Sequence, residues 1–167
     1  WLTIRDRYGY VAKKQRGKSR TVDYLSYPVE DESAWKTVKE MFDLESRLRR
    51  NNDHALIDDE GFPFRTAPAP DWKNAGEKIT AAREGEYYLL ALAYGPHETC
   101  WRLRGFTQTL MDLIERPDLI SDISETYLSY LLSVIDVCID RGGEIDGFMM
   151  VEDLAGTRGM LMSPDTG

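Results

Sequence analysis

The apolar positions of this chain change their spacing several times, and each change marks an element. Residues 1–28 offer short β-branched and aromatic groups, Leu2-Thr3-Ile4 and Tyr8-Gly9-Tyr10-Val11, then a turn-like Gln15-Arg16-Gly17-Lys18-Ser19. Residues 21–27 can return antiparallel. Pro28 ends that strand, because proline has no N–H to give to a ladder. From Ala34 the period becomes helical: Trp35, Val38, Met41, Phe42 and Leu44 share a face that Leu48 extends, and Ser33 stands where a cap belongs. Residues 50–71 are rich in Asn, Asp and Pro and predict a loop, interrupted by a short strand at Ala55-Leu56-Ile57. A short helix is predicted over 72–84, with Asp71 as its cap.

The second half is more regular. Residues 87–94 form an unbroken apolar run that stops at Gly95-Pro96. A run without alternation predicts a strand buried on both faces, as in a parallel sheet. Residues 98–115 predict a helix with Phe106, Leu110, Leu113 and Ile114 on one face, weakened at Gly105. Arg116-Pro117-Asp118 breaks it, and Pro117 suits the first turn of another helix. That helix, about 118–141, repeats Leu119, Ile120, Ile123, Tyr127, Leu131, Ile135 and Cys138, and Gly142-Gly143 ends it. A second apolar strand, Gly147-Phe148-Met149-Met150-Val151, runs into Glu152-Asp153 and a loop over 154–162. Strand, helices, strand is the order of a parallel crossover, so the fold class expected is α/β, with the two strands adjacent and parallel.

Charge and cysteines narrow the setting. The net charge of −8 argues against nucleic acid as a partner. Residues 1–20 are the exception, with Arg5, Arg7, Lys13, Lys14, Arg16, Lys18 and Arg20 against Asp6; a solvated hairpin accounts for this run, and a patch for an anionic ligand is the alternative. Cys100 and Cys138 fit no zinc spacing and no disulfide framework, so a reduced, cytoplasmic location is expected. No apolar stretch reaches the roughly 18 residues of a membrane span, so no membrane partner is expected.

In parallel α/β folds the chemistry lies beyond the carboxyl ends of the strands. Two segments qualify. Glu152 and Asp153 end the second strand, where a carboxylate can act as acid or base or orient a substrate; these are the candidate catalytic residues. Successive strand residues point to opposite faces, so at most one of the two should face a shared axis. A helix cap or an ion pair to Arg158 is the structural alternative. His97, Glu98, Trp101, Arg102 and Arg104 follow the first strand and are the candidate substrate-binding residues, joining a flat aromatic ring to guanidinium groups that suit carboxylates. His54 stands in a polar stretch with no evident partner. No metal site, phosphate loop or nucleophile elbow is visible.

The segment Tyr94-Gly95-Pro96-His97-Glu98-Thr99-Cys100-Trp101-Arg102-Leu103-Arg104-Gly105-Phe106, then Leu110–Pro117, resembles the stretch after an early barrel strand in the uroporphyrinogen decarboxylase superfamily. Residues 146–151 with Glu152-Asp153-Leu154-Ala155-Gly156, Gly159 and Met162-Ser163-Pro164 are similar to the next strand and loop of that family. The likeness covers 87–167, and residues 1–50 fit more loosely as an irregular amino-terminal part. It implies part of one (β/α)₈ TIM barrel domain over 1–167, of the uroporphyrinogen decarboxylase and methionine-synthase-like type, truncated at both ends. Such a barrel takes about 250 residues, so an open sheet with an exposed apolar edge is expected.

The resemblance implies an enzyme. Trp101 stands where true decarboxylases carry a substrate-contacting Tyr, and Asp153 where they carry a Ser. These departures favour a methyltransferase-like member, which moves a methyl group from a corrinoid to a thiol. Its cofactors would be zinc and a corrinoid, with the zinc ligands outside this chain, and its partners a small methyl donor or acceptor and a corrinoid protein. The alternatives are a uroporphyrinogen decarboxylase, which acts on a tetrapyrrole and needs no cofactor, and a non-catalytic module that binds a tetrapyrrole or corrinoid.

Overall fold

The computed structural model describes residues 1–5, 9–15, 22–43, 75–142 and 145–165. Helices and strands are mixed in it. Strands β1 (Leu2–Arg5), β2 (Val11–Lys14) and β3 (Asp23–Ser26) form an antiparallel meander in that order. Helix α1 (Glu32–Lys39) follows and tightens into a 3₁₀ turn, Glu40–Phe42. Its cap is Asp31, whose carboxylate accepts from the Ala34 amide at 2.8 Å; the sequence had pointed to Ser33, two residues on. Asp31 wins because it has the extended backbone that a cap requires, while Ser33 already lies within the helix.

Helix α2 (Ala75–Glu84) leads to strand β4 (Leu90–Tyr94). The predicted extension of α2 back to residue 72, the Asp71 cap, the strand at 55–57, Leu44, Leu48 and His54 all lie outside the described residues, as does the side chain of Cys138. Between β4 and β5 (Gly147–Val151) come three helices, not two: α3 (Pro96–Arg104), α4 (Phe106–Glu115) and α5 (Pro117–Gly142). The single helix expected over 98–115 breaks at Gly105, whose φ of +94° is a conformation that L side chains rarely adopt. A Cβ there would also meet the Tyr27 ring. A short hairpin, β6 (Ala155–Gly156) and β7 (Gly159–Met160), follows β5.

β4 and β5 pair in parallel, Leu90 opposite Gly147 through Tyr94 opposite Val151, as expected. Asp146 fixes the start of the pair. Its carboxylate accepts from the Leu89 amide at 2.6 Å and from Arg83 at 2.8 Å. The two strands are not buried on both faces, however. Met150 is 52% exposed, and Leu90, Leu92, Phe148 and Met149 lie between 47% and 50%. Parallel sheets ordinarily carry cover on both sides; the described residues supply an open, two-stranded sheet and do not form a barrel.

The core lies among the helices. Val29, Trp35, Val38 and Phe42 pack against Cys100, Leu103, Leu119, Ile120, Ile123, Tyr127, Tyr130 and Leu131. The helical stripes predicted from spacing supply most of this cluster. Its burial contributes about 25 cal/mol for each Å² of apolar surface removed from water. Polar clips fix the elements around it. The Trp35 indole donates to Asp122 at 2.8 Å, and the Tyr127 hydroxyl donates to the Tyr94 carbonyl at 2.8 Å, tying α5 to the end of β4. Among the described residues no helix is long and apolar enough to cross a membrane.

Candidate functional site

Gly95 links β4 to α3, and its amide continues the ladder by donating to the Val151 carbonyl at 2.9 Å. This places the amino end of α3 beside the carboxyl end of β5. The first N–H groups of a helix have no partner within it. Glu152, the residue directly after β5, supplies one: its Oε1 accepts from the His97 amide at 3.0 Å and its Oε2 from the Glu98 amide at 2.8 Å. The carboxylate is also well placed for the positive end of the helix dipole. Gly95 is required for this contact, because a Cβ at that position would overlap the Glu152 carboxylate. So the helix-cap reading of Glu152 is what the geometry displays, with α3 as the helix in question and no described bond to Arg158.

Beside this junction is a cleft of about 540 Å³. α3 contributes Pro96, His97 and Cys100 to its wall, and α5 contributes Pro117, Ile120, Ser121 and Ser124. The far wall comes from the segment after β5, with Glu152, Leu154, Met160, Met162 and Ser163. The His97 Nε2 atom is buried there with no hydrogen-bond partner. The Cys100 thiol sits 3.3 Å from the Ser124 hydroxyl. Burial pushes that thiol up to about 11, against the pull of the Ser124 bond, so at neutral pH it is protonated and a poor nucleophile.

Of the residues singled out in the sequence, the structure brings His97 and Glu152 to the cleft. The others face elsewhere. Glu98 is buried and accepts from the Trp101 indole at 2.8 Å and from Arg102 at 2.7 Å. The Arg102 guanidinium lies between the Tyr94 ring, 4.4 Å away, and the Trp101 ring, 4.7 Å away. Two of its nitrogens, Nε and Nη1, are buried without partners, but it does not line the cleft. Trp101 makes edge contacts with Tyr24 and Phe106, so its ring belongs to an aromatic seam against the amino-terminal meander. Arg104 is buried, bonds Asp112 at 2.6 Å, and also donates to the Val29 and Glu30 carbonyls. Burial works to raise the Asp112 carboxyl, but the bonds from Arg104 and Gln108 outweigh it and hold the group below its ordinary value. Asp153 is exposed and stands outside the cleft.

Sequence reasoning missed Cys100, Ser121, Ser124, Met160 and Met162 as cleft residues. The signal was partly present, since Cys100 follows His97 by three positions, and Ser121 and Ser124 are also three apart on their helix. What spacing along one helix cannot supply is which second helix faces it. Among the described residues no cluster of three His, Cys, Asp or Glu side chains could hold a metal. No family model, no curated protein and no solved structure matches this chain.

Proposed function

We propose that this chain belongs to a barrel enzyme of the uroporphyrinogen decarboxylase superfamily, that its reaction takes place in the cleft beyond β4 and β5, and that the reaction is methyl transfer and not porphyrin decarboxylation. The observation that carries this reading is the position of the cleft. It opens at the carboxyl ends of an in-register parallel pair, where α/β enzymes place their chemistry, and His97 is among the residues that line it. The choice of reaction class rests on charge. A porphyrin substrate is rich in carboxylates, yet no Lys or Arg is among the described residues lining the cleft. Arg102 and Arg104 are engaged by Glu98 and Asp112.

His97 is the residue positioned for acid–base work, and Glu152 is a positioning residue that holds the amino end of α3 and hence His97. The described residues do not fit zinc, because they offer no ligand cluster. They do not fit a corrinoid ring on Trp101, because Arg102 covers that indole and Tyr24 and Phe106 meet it edge-on.

The test uses the full-length protein. Methyl transfer from methylcobalamin to a small thiol is followed by the change in corrinoid absorbance, and carbon dioxide release from uroporphyrinogen is measured alongside. The expected result is thiol-dependent demethylation that His97→Ala lowers by about 100-fold in kcat, the usual scale for a lost acid–base group. Carbon dioxide release in its place would establish the decarboxylase alternative. Tetrapyrrole binding with neither activity would favour the non-catalytic module.

A further inference from the structure

The cleft has one fixed side and one loose side. On the fixed side α3 and α5 pack into the core, where Cys100 and Ile120 are buried. The loose side is the segment after β5. Glu152 is held by its bonds to α3. From Leu154 to Met162, however, the described hydrogen bonds stay within the segment: the β6–β7 ladder, and the Leu161 amide donating to the Leu154 carbonyl at 3.0 Å. A lone two-stranded hairpin is at best marginally stable in water. Its apolar side chains are also poorly covered. Leu154 is 40% exposed and Met160 61%, although both line the cleft. A wall that is apolar, largely exposed and hydrogen-bonded only within itself gains burial by moving inward.

The charges around the mouth indicate where that movement ends. The turn between β6 and β7 is Thr157-Arg158, so the hairpin carries a cation at its tip, exposed and with no described partner. Across the cleft, α5 lines the opposite wall with Pro117, Ile120, Ser121 and Ser124. Asp118 and Glu125 lie about two helical turns apart, so they stand on one border of that stripe, and both are exposed. Asp118 has no described partner, and Glu125 accepts only from the Ser121 hydroxyl, at 3.0 Å. We propose that the hairpin is a lid. It swings about Asp153 towards α5, buries Met160 over the cleft, and closes when Arg158 reaches Asp118 and Glu125. A guanidinium has five N–H donors and can serve both carboxylates. The inference goes beyond the choice of reaction, since it concerns the cleft itself and holds whatever chemistry takes place there.

Met160 and Met162 can report on the motion themselves. In the full-length protein, labelled with carbon-13 at its methionine methyl groups, nuclear magnetic resonance relaxation dispersion reads exchange on the microsecond-to-millisecond scale of lid movement. The expected result is dispersion at the Met160 and Met162 methyls and none at Met41, which packs against the core. Salt at about 1 M screens charges beyond roughly 3 Å, so it should move the Met160 and Met162 shifts towards the open state. Arg158→Glu should move them the same way, and so should Asp118→Lys combined with Glu125→Lys. The variant with all three substitutions restores opposite charges across the mouth and should return the shifts towards the wild type. All three positions are exposed, and the wild-type salt titration stands even where a variant fails to fold. Met160 and Met162 methyls without dispersion, shifts that ignore salt, or a triple variant no nearer the wild type than its parents overturns the proposal.

Discussion

The two ends of α3 are built from similar residues and do different things. At its carboxyl end Arg104 meets Asp112 and two backbone carbonyls, deep in the packed interior, where the Asp112 side chain is wholly buried. At its amino end Glu152 meets two backbone amides at the edge of a cleft, and one imidazole nitrogen nearby has nothing to bond. At the first end every charge is matched and the gain is rigidity. At the second the match is incomplete, because His97 Nε2 is buried without a partner. Charged residues at strand and helix ends therefore do not announce a site by themselves. What distinguishes the amino end is the cleft beside it.

The largest effect should come from the rigid end. Arg104→Ala leaves a buried carboxylate without its cation, and such uncompensated charges cost about 3–5 kcal/mol. Urea denaturation should show that loss, with specific activity per folded molecule unchanged. Replacing both partners, Arg104→Met with Asp112→Leu, should be less harmful than either change alone, because no charge is then left buried. A double variant worse than both singles would mean that the pair contributes net stability of its own.

Much of the contrast could not be seen in the sequence, for a physical reason. Helical spacing revealed Leu119, Ile120, Ile123, Tyr127 and Leu131 as one face, and the apolar runs revealed β4 and β5 as a parallel pair. Those signals are local and periodic. The partner of a charged side chain is neither. Arg104 reaches Val29 and Glu30, more than seventy residues away, and Glu152 reaches back to His97. Trp101 and Arg102 looked like ligand contacts because flat rings and guanidinium groups suit ligands, and the same properties suit the stacked seam they form with Tyr94 and Tyr24. Gly105 showed as a weakness in a helix; its positive φ makes it a break, and the nearby Tyr27 ring leaves no room for a side chain there.

The amino end of α3 should give intermediate effects. Glu152→Ala removes the cap and should cost about 1–2 kcal/mol, as lost helix caps do. Gly95→Ala should produce a similar loss by a different route. Its backbone, with φ of −82°, accepts alanine without strain, but the added Cβ displaces the Glu152 carboxylate. In the Gly95→Ala, Glu152→Ala double variant the two costs should not add, since both report one contact. Additive losses would show that Gly95 matters for something other than making room for Glu152.

A smaller effect belongs to Asp122, which joins α5 to α1 near the surface. Bonds from Lys39 and from the Trp35 indole hold its carboxyl below the ordinary value. A group with a lowered folded-state pKa stabilises the protein above its unfolded value, about 3.9, and that contribution is lost as the pH falls from there through the folded value. Because the pair is nearly half exposed, the contribution is about 1 kcal/mol or less. Asp122→Asn should therefore lower stability at pH 7 and converge with the wild type as the pH falls through the folded-state value. A difference that stays constant across that range would assign the loss to packing and not to charge.

The smallest effect separates the two acids that follow β5. Glu152 and Asp153 are adjacent, and neighbouring residues of an extended chain point to opposite sides. One turns to α3 and the cleft wall, and the other is exposed outside it. Asp153→Ala should change stability by no more than about 0.5 kcal/mol, the usual limit for surface positions without partners. With chemistry confined to the cleft, turnover should also stay within a factor of two, while Glu152→Ala lowers kcat by shifting His97. Substituting Glu152→Gln sharpens the distinction. The amide keeps one oxygen that accepts from α3 but loses the charge that complements the helix end, so it should fall between wild type and alanine in both stability and kcat. If Asp153→Ala abolished turnover and left folding intact, the reacting atoms would lie on the solvent side of the strand end, and the roles assigned to His97 and to the cleft would both have to be given up.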